Sequence, residues 1–215
     1  MNILKGKQII EINQASFDAL KIRFKQVIVD IGTGDGEFVY KLAKSNPENL
    51  YIGIDATAEN MHAYSVKMSR KPAKGGLDNL LFVVANAAQL PQMLHATANA
   101  IYINLPWGSL RDGLVKADYD ILENIRCIAK IDAKLQVLIT YSPKYENQEI
   151  ENRKLPILSL SYFDDIHALY QDFGLYLRKT TLLNNDALKK VGTKWANKLA
   201  FGKTRDIYQL NFDIR

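Results

Sequence analysis

The run QVIVDIGTGDGEF, residues 26 to 38, sets one carboxylate, Asp30, at the end of a β-rich stretch and follows it with Gly32, Gly34 and Gly36. Glycine has no Cβ, so such a turn can fold tightly and present its amides to a ligand as it opens a helix. The spacing is G-x-G-x-G. A dinucleotide fold prefers G-x-G-x-x-G and seats a pyrophosphate at the helix N-terminus, where a carboxylate has the wrong sign. An acidic residue at the strand end suits a cationic ligand instead. S-adenosylmethionine, with an ammonium and a sulfonium beside a ribose, is the first candidate. A second β-rich run, NLYIGID, ends in Asp55, placed to accept both hydroxyls of a ribose. A nicotinamide fold puts a carboxylate in the same place, so Asp30 and the glycine spacing carry the choice. The plain alternative is a strand-to-helix turn with two capping carboxylates.

The stretch AIYINLPWGS, residues 100 to 109, reads as a buried strand leading into Asn104, Leu105, Pro106 and Trp107. In open α/β sheets ligands bind outside the carboxyl ends of the strands, so this loop should face the cofactor. Trp107, stiffened by the preceding proline, is suited to stacking on a flat base. The chain's other tryptophan, Trp195, falls in the connection between the last two strands. If the last strand is antiparallel, that connection lies at the same edge, and two indoles around a gap make a slot for a planar ring extracted from structured nucleic acid. Two independent core tryptophans are the competing reading.

Strands at 26–31, 49–54, 80–85, 100–105, 135–141, about 174–183 and about 205–213 alternate with helices such as 36–45, where Phe38, Leu42 and Ala43 share a face, and 57–69. That alternation predicts a mostly parallel sheet with helices on both faces in a single domain, 1–215. Three segments stand outside the repeating unit. Residues 1–25 hold a small hairpin turning at Lys5-Gly6 and a helix from about Ser16. The segments 143–160 and 184–204 are insertions in which substrate specificity can be grafted onto the scaffold.

With 47% hydrophobic residues in 215, the chain can bury a full core. No apolar run has the length of a membrane span and MNILKGKQIIEIN has no signal-peptide core, so a cytoplasmic protein is expected. Cys127, the single cysteine, excludes a disulfide within the chain and has helical spacing with Ile125 and Ile128, which suits the core. His62, His95 and His167 lie far apart, and no metal site is expected. A formal charge of +5 permits a polyanionic partner. The basic residues gather in three groups: Lys67, Arg70, Lys71 and Lys74; Arg153 and Lys154; and Lys194, Lys198, Lys203 and Arg205 around Trp195. All three are expected to flank the mouth, a distribution that suits a rigid RNA surface read by shape and phosphates.

Taken together, VDIGTGDG, YKLA, YIGID, KPAKGGL, LPWGS, RKLPILS and KWANKLAFGK-T-R, in this order and spacing, resemble the 16S ribosomal RNA adenine-N1 methyltransferases that confer kanamycin and apramycin resistance. The resemblance runs almost end to end. It implies a class I methyltransferase fold, a Rossmann-like seven-stranded sheet with its last strand antiparallel, plus an N-terminal hairpin and RNA-binding insertions. It also implies S-adenosylmethionine as cofactor, a monomer, and methylation of N1 of the decoding-site adenine, adenine 1408 of helix 44, in the assembled small ribosomal subunit. By matched position, Asp30, Gly32, Gly34 and Asp55 hold the cofactor, with Ala87 and Ala88 near its adenine, Ser109 and Thr193 at its methionine end, and Asn104 beside them. Trp107 and Trp195 sandwich the flipped base, while Lys67, Arg70, Lys71, Arg153, Lys203 and Arg205 dock RNA. Ala88 and Asn104 depart from the family, which has an acidic and an apolar residue there. Asn104 also makes N-L-P-W similar to the [DN]-P-P-[YFW] loop of enzymes that methylate exocyclic amines.

Adenine N1 carries an available lone pair, so no acid–base residue is assigned. Flipping, alignment and exclusion of water are the protein's tasks. The competing functions are a transfer RNA guanine-N7 methyltransferase, whose loop carries a further aspartate and proline absent here; a nicotinamide-dependent reductase, whose YxxxK spacing Tyr141 misses by one; and an RNA-binding module with a vestigial cofactor site.

Overall fold

The computed structural model describes residues 1–191 and 193–215; Gly192 and the Lys194 side chain, both within the inserted connection and the latter in the third basic group, lie outside the described residues. The elements run β1 (Asn2–Lys5), β2 (Gln8–Glu11), α1 (Gln14–Lys21), β3 (Val27–Ile31), α2 (Glu37–Ser45), β4 (Leu50–Asp55), α3 (Ala58–Met68), β5 (Leu80–Val84), β6 (Ala98–Asn104), α4 (Gly108–Val115), α5 (Tyr119–Ile128) and β7 (Ala129–Ile139). Then follow α6 (Pro143–Arg153), α7 (Leu160–Asp165), α8 (His167–Gln171), β8 (Leu175–Leu183), α9 (Asn185–Val191), α10 (Lys194–Ala200) and β9 (Ile207–Ile214).

The strand order is β2-β1-β5-β4-β3-β6-β7-β9-β8. Strands β5, β4, β3, β6 and β7 are parallel, and β9 lies antiparallel between β7 and β8. The expected seven-stranded methyltransferase sheet is therefore present, with one correction. The hairpin is part of the sheet, because β1 pairs antiparallel with β5 at Ile3↔Val83 and brings the count to nine strands. Its buried Ile3 and Leu4 extend the apolar faces past an edge that would otherwise stand open. The turn is Gly6-Lys7, one residue later than expected, since Lys5 pairs with Gln8 and Gly6 takes a φ of 65°.

Strand β3 is buried on both faces, as its unbroken VIVDI predicts. One face packs on α4 and α5 through Val29, Ile101, Leu114 and Ile125. The other packs on α2 and α3 through Ile28, Phe82, Val39 and Met61. The buried face of α2 is Val39, Tyr40 and Ala43, with Leu42 packed beside it, while Phe38 is half-buried against Tyr102. Cys127 is half-buried, its thiol donating to Glu123 at 3.3 Å. At β8 the ladder to β9 slips at Arg178, a bulge on the sheet's outermost strand. No helix among the described residues is long and apolar enough to cross a membrane.

Candidate active site

The carboxyl ends of β3, β4 and β6 open onto a cleft of about 770 Å³ lined by residues from the glycine turn, Asp55, Ala87, the 104–109 loop, Thr193 and Trp195. That volume lies within the roughly 300–1,000 Å³ of small-molecule sites. The parallel pairing of β3 with β4 and β6 gathers residues 25 and 74 positions from Asp30 onto one edge. Two glycines are required by contact as well as conformation. A Cβ on Gly32 would meet Leu110 at 2.8 Å, and one on Gly36 would meet Phe82 at 2.4 Å, both at positive φ.

Asp30 is buried at the floor of the cleft. Thr33 Oγ1 donates to its Oδ2 at 2.6 Å, and Asn104 Nδ2 reaches its Oδ1 at 3.4 Å. Burial pushes the Asp30 carboxyl up to about 7; the two hydrogen bonds act against this shift, and the charges of Asp55 and Asp35 add to it. Asn104 Oδ1 is buried with no hydrogen-bond partner among the described residues. An orphan acceptor beside a buried carboxylate is an environment that asks for a donor carrying positive charge. On Asp55, Oδ2 accepts from Gly34 N at 3.0 Å and Oδ1 from Thr57 N at 2.9 Å, which fixes the carboxylate at the lip of the turn.

Eight of the nine positions expected to hold cofactor line the cleft: Asp30, Gly32, Gly34, Asp55, Ala87, Asn104, Ser109 and Thr193. Ala88 does not. Its amide donates to Asn86, its carbonyl accepts from Asn124, and its methyl packs against the core. Thr193 also caps α10, its Oγ1 accepting from Ala196 N at 3.1 Å.

Trp107 and Trp195 come together at the mouth from separate elements, as the antiparallel β9 requires. They do not enclose a gap. Their ring centroids are 5.9 Å apart at 66°, an edge-to-face contact. A base between parallel rings needs about 7 Å, twice the ~3.5 Å of carbon–carbon contact. The expected slot is closed in this state because two exposed indoles gain by covering each other. Their supports are joined beneath. Leu105, buried and held at a φ of 53° ahead of Pro106, packs in one apolar cluster with Leu188 of α9 and Ala196 of α10, the helix that carries Trp195. A left-handed residue before proline is strained, and that cluster holds it there.

The basic residues divide. Lys67 lies two helical turns beyond Asn60, the α3 residue at the cleft, about 10 Å along the axis, and rests over the Tyr40 and Tyr64 rings. With exposed Arg70 and Lys71 it forms a patch set back from the mouth rather than on its rim. Lys203 lies over Tyr145 at 4.5 Å. Arg153 is paired with Asp112 and Glu149, and Arg205 with Glu146 in a mostly buried contact, so both arginines serve the fold as well as any ligand. Sequence reasoning missed two site residues. Thr33 lies inside the glycine turn, between Gly32 and Gly34, and carries no motif of its own; and Arg111 is buried, which its charge argues against. Lys198, expected in the basic group that flanks the mouth, lines the cleft one turn after Trp195.

The family model described as NpmA: 16S rRNA (adenine(1408)-N(1))-methyltransferase matches residues 2–214. A 16S rRNA (adenine(1408)-N(1))-methyltransferase of Escherichia coli is 38% identical over 213 residues, 98% of this chain and 97% of its own. Similarity to a tRNA (guanine-N(7)-)-methyltransferase of Rubrobacter xylanophilus is 32% over 79 residues, 36% of this chain and 34% of that one. Among solved structures, a tryptophan-to-alanine mutant of the 16S rRNA (adenine(1408)-N(1))-methyltransferase from Catenulisporales acidiphilia, with cosubstrate SAM, superposes with a TM-score of 0.90 at 28% identity, covering 100% of this chain and 96% of its own.

Proposed function

The chain belongs to the 16S rRNA (adenine(1408)-N(1))-methyltransferase family, and from that premise we propose that it methylates N1 of adenine 1408 in the small ribosomal subunit, using S-adenosylmethionine, and so confers aminoglycoside resistance. The observation that carries the reading is the pairing of a buried carboxylate with an orphan amide oxygen at the floor of a cleft whose mouth bears both tryptophans. S-adenosylmethionine supplies an electrophilic methyl on a sulfonium. The floor fits it, since Asp30 and Asn104 offer acceptors to its ammonium and Asp55 to its ribose hydroxyls, with Ala87, Ser109 and Thr193 along the walls. Ala88, which does not line the cleft, is given no contact with the cofactor.

Trp107 and Trp195 part to take the flipped adenine between them and hold its N1 toward the cleft. No side chain needs to remove a proton, because N1 attacks with its own lone pair. The tryptophans, Pro106 and Leu110 exclude water from the reacting atoms. The α3 patch and Lys203 meet phosphates of separate RNA helices, and the chain acts as a monomer in the cytoplasm, where its substrate is assembled. The product base is cationic and lacks a pairing acceptor, so an aminoglycoside ring pairing with that edge loses a hydrogen bond and meets a like charge.

Reverse transcription of RNA from treated small subunits tests the assignment. A stop at adenine 1408 is expected, since a methyl on N1 blocks the pairing edge. Read-through with confirmed methyl incorporation would move the reaction to the exocyclic amine, the alternative that Asn104 raises.

Calorimetry tests the cofactor separately. Binding of S-adenosylmethionine is expected in the micromolar range, and Asp55→Ala should weaken it at least tenfold, about 1.4 kcal/mol. Unchanged affinity would remove Asp55 from the ribose. Intact subunits should also be much better substrates than a helix-44 hairpin, because the basic patches lie on separate elements; equal rates would contradict docking on an assembled surface.

A further inference from the structure

We propose that Arg111 is the positioning residue for Trp107, holding one face of its indole so that the opposite face is ready for the base, and that the ion cluster around Arg111 ties this orientation to the inserted helix α6. The inference rests on the base-stacking role of Trp107 proposed above.

Trp107 is the residue just before α4, and Arg111 lies four positions on, so the two share a helix face. The guanidinium sits 5.4 Å from the Trp107 ring centroid and 5.5 Å from that of Tyr141, between the two aromatics. Arg111 is only 2% exposed, whereas Trp107 is 52% exposed. The indole thus has a fixed cation on one side and meets Trp195 edge to face, with about half of it left exposed. A planar guanidinium suits this place better than an ammonium, because it stacks on a ring while its edge donates elsewhere.

Two nitrogens of that edge are engaged. Arg111 donates from Nε and Nη2 to Asp112 Oδ1 at 3.1 and 2.9 Å, and from Nη2 to Glu149 Oε1 at 3.0 Å. Arg153 grips the same two carboxylates, Asp112 Oδ2 at 2.9 Å and Glu149 Oε1 at 3.4 Å. Two cations and two anions therefore balance in one cluster. Arg111 and Asp112 come from α4; Glu149 and Arg153 come from α6. Of the four only Arg111 is fully buried, and an ion pair with a buried member is weak evidence for stability, since well-packed apolar residues often replace one without loss; fixing a geometry is its better-attested use. Here the geometry fixed is that of an exposed ring, and a ring already oriented loses less freedom when a base stacks on it.

A double-mutant cycle tests the proposal. Single-turnover methylation of small subunits is measured for Arg111→Met, Trp107→Ala and the pair, with cofactor affinity by calorimetry beside it. Arg111→Met should slow methylation at least fivefold with cofactor affinity within twofold of the parent, and should slow it less than twofold once Trp107→Ala is present. Arg111→Lys, which keeps the charge without the plane, should fall between. In a Trp195→Phe background, Arg111→Met should also make Trp107 fluorescence more readily quenched by acrylamide. Should Arg111→Met fail to fold, Glu149→Gln, which loosens the guanidinium from a partly exposed site, carries the same cycle with a smaller effect in the same direction. Equal, additive losses with and without Trp107 would overturn the proposal and leave the stacking role standing. Parent-level methylation by Trp107→Ala alone would overturn the stacking role itself.

Discussion

Trp107→Ala and Trp195→Ala should each cut methylation of small subunits tenfold or more while cofactor affinity and subunit binding stay within about twofold. Stacking on an aromatic side chain contributes roughly 1–3 kcal/mol per base, comparable with the few kcal/mol needed to unstack the target. Removing one wall therefore depopulates the flipped state by about a factor of ten to a hundred. The closed edge-to-face pair tempers this. Each alanine also removes the indole contact that must break on opening, worth about 0.5–1.5 kcal/mol, so the net loss lies at the lower end of the range. Phenylalanine at either position should restore part of the rate. Folding should be nearly unaffected, since the rings are 52% and 36% exposed. If instead the variants melt several degrees lower and lose cofactor together with activity, the tryptophans are structural and the stacking role falls.

Asp30→Asn should weaken S-adenosylmethionine binding more than tenfold and yet raise the melting temperature of the cofactor-free protein. The Asp30 carboxyl is pushed up to about 7, chiefly by burial, from an unfolded value near 3.8. The folded chain thus holds this proton more tightly than the unfolded one. Its contribution to stability is fully present below about pH 4 and is lost as pH rises through 7. At pH 8 the ionised carboxylate is a burden of up to about 4 kcal/mol, at 1.36 kcal/mol per unit, which relaxation and water entry reduce. An amide in its place keeps an acceptor for Thr33 and, once the Asn104 amide turns over, offers a donor to the orphan Oδ1. The gain in melting temperature should be several degrees at pH 8 and should shrink toward pH 5. Cofactor affinity of the parent should fall by up to tenfold per unit below pH 7, since the ammonium prefers the ionised partner. The variant should show no such slope. A parent affinity independent of pH from 5 to 8 would refute the ionic seat.

The sheet and the cofactor floor were readable because each rests on local signals. Unbroken β-branched runs, a glycine turn and a carboxylate at the end of each of two strands leave little choice of fold or of edge. Both tryptophans could be brought to one mouth once β9 was taken as antiparallel. What escaped was set by partners distant in sequence. Arg153 and Arg205 read as free basic residues, because nothing near them announces Asp112 or Glu146. Ala88 follows a residue that lines the cleft but does not line it itself, its carbonyl taken by Asn124 from another helix. The contact between the indoles is likewise a property of the assembled mouth, and no spacing encodes a ring angle.

Strand β8 forms the far edge of the sheet and has a neighbour, β9, on only one side. A straight, apolar edge of nine residues would be a template on which a second chain could add a strand. The extra residue at Arg178 breaks the regular hydrogen-bond repeat, and its guanidinium is drawn back onto Asp213, which Lys134 also holds. Lys179 follows it with a further exposed charge. The edge is thus kinked and cationic where aggregation would begin. Smoothing it, by deleting one residue of the bulge and replacing the charges with valine, would make the edge self-templating while leaving the cleft at the opposite end of the strands untouched.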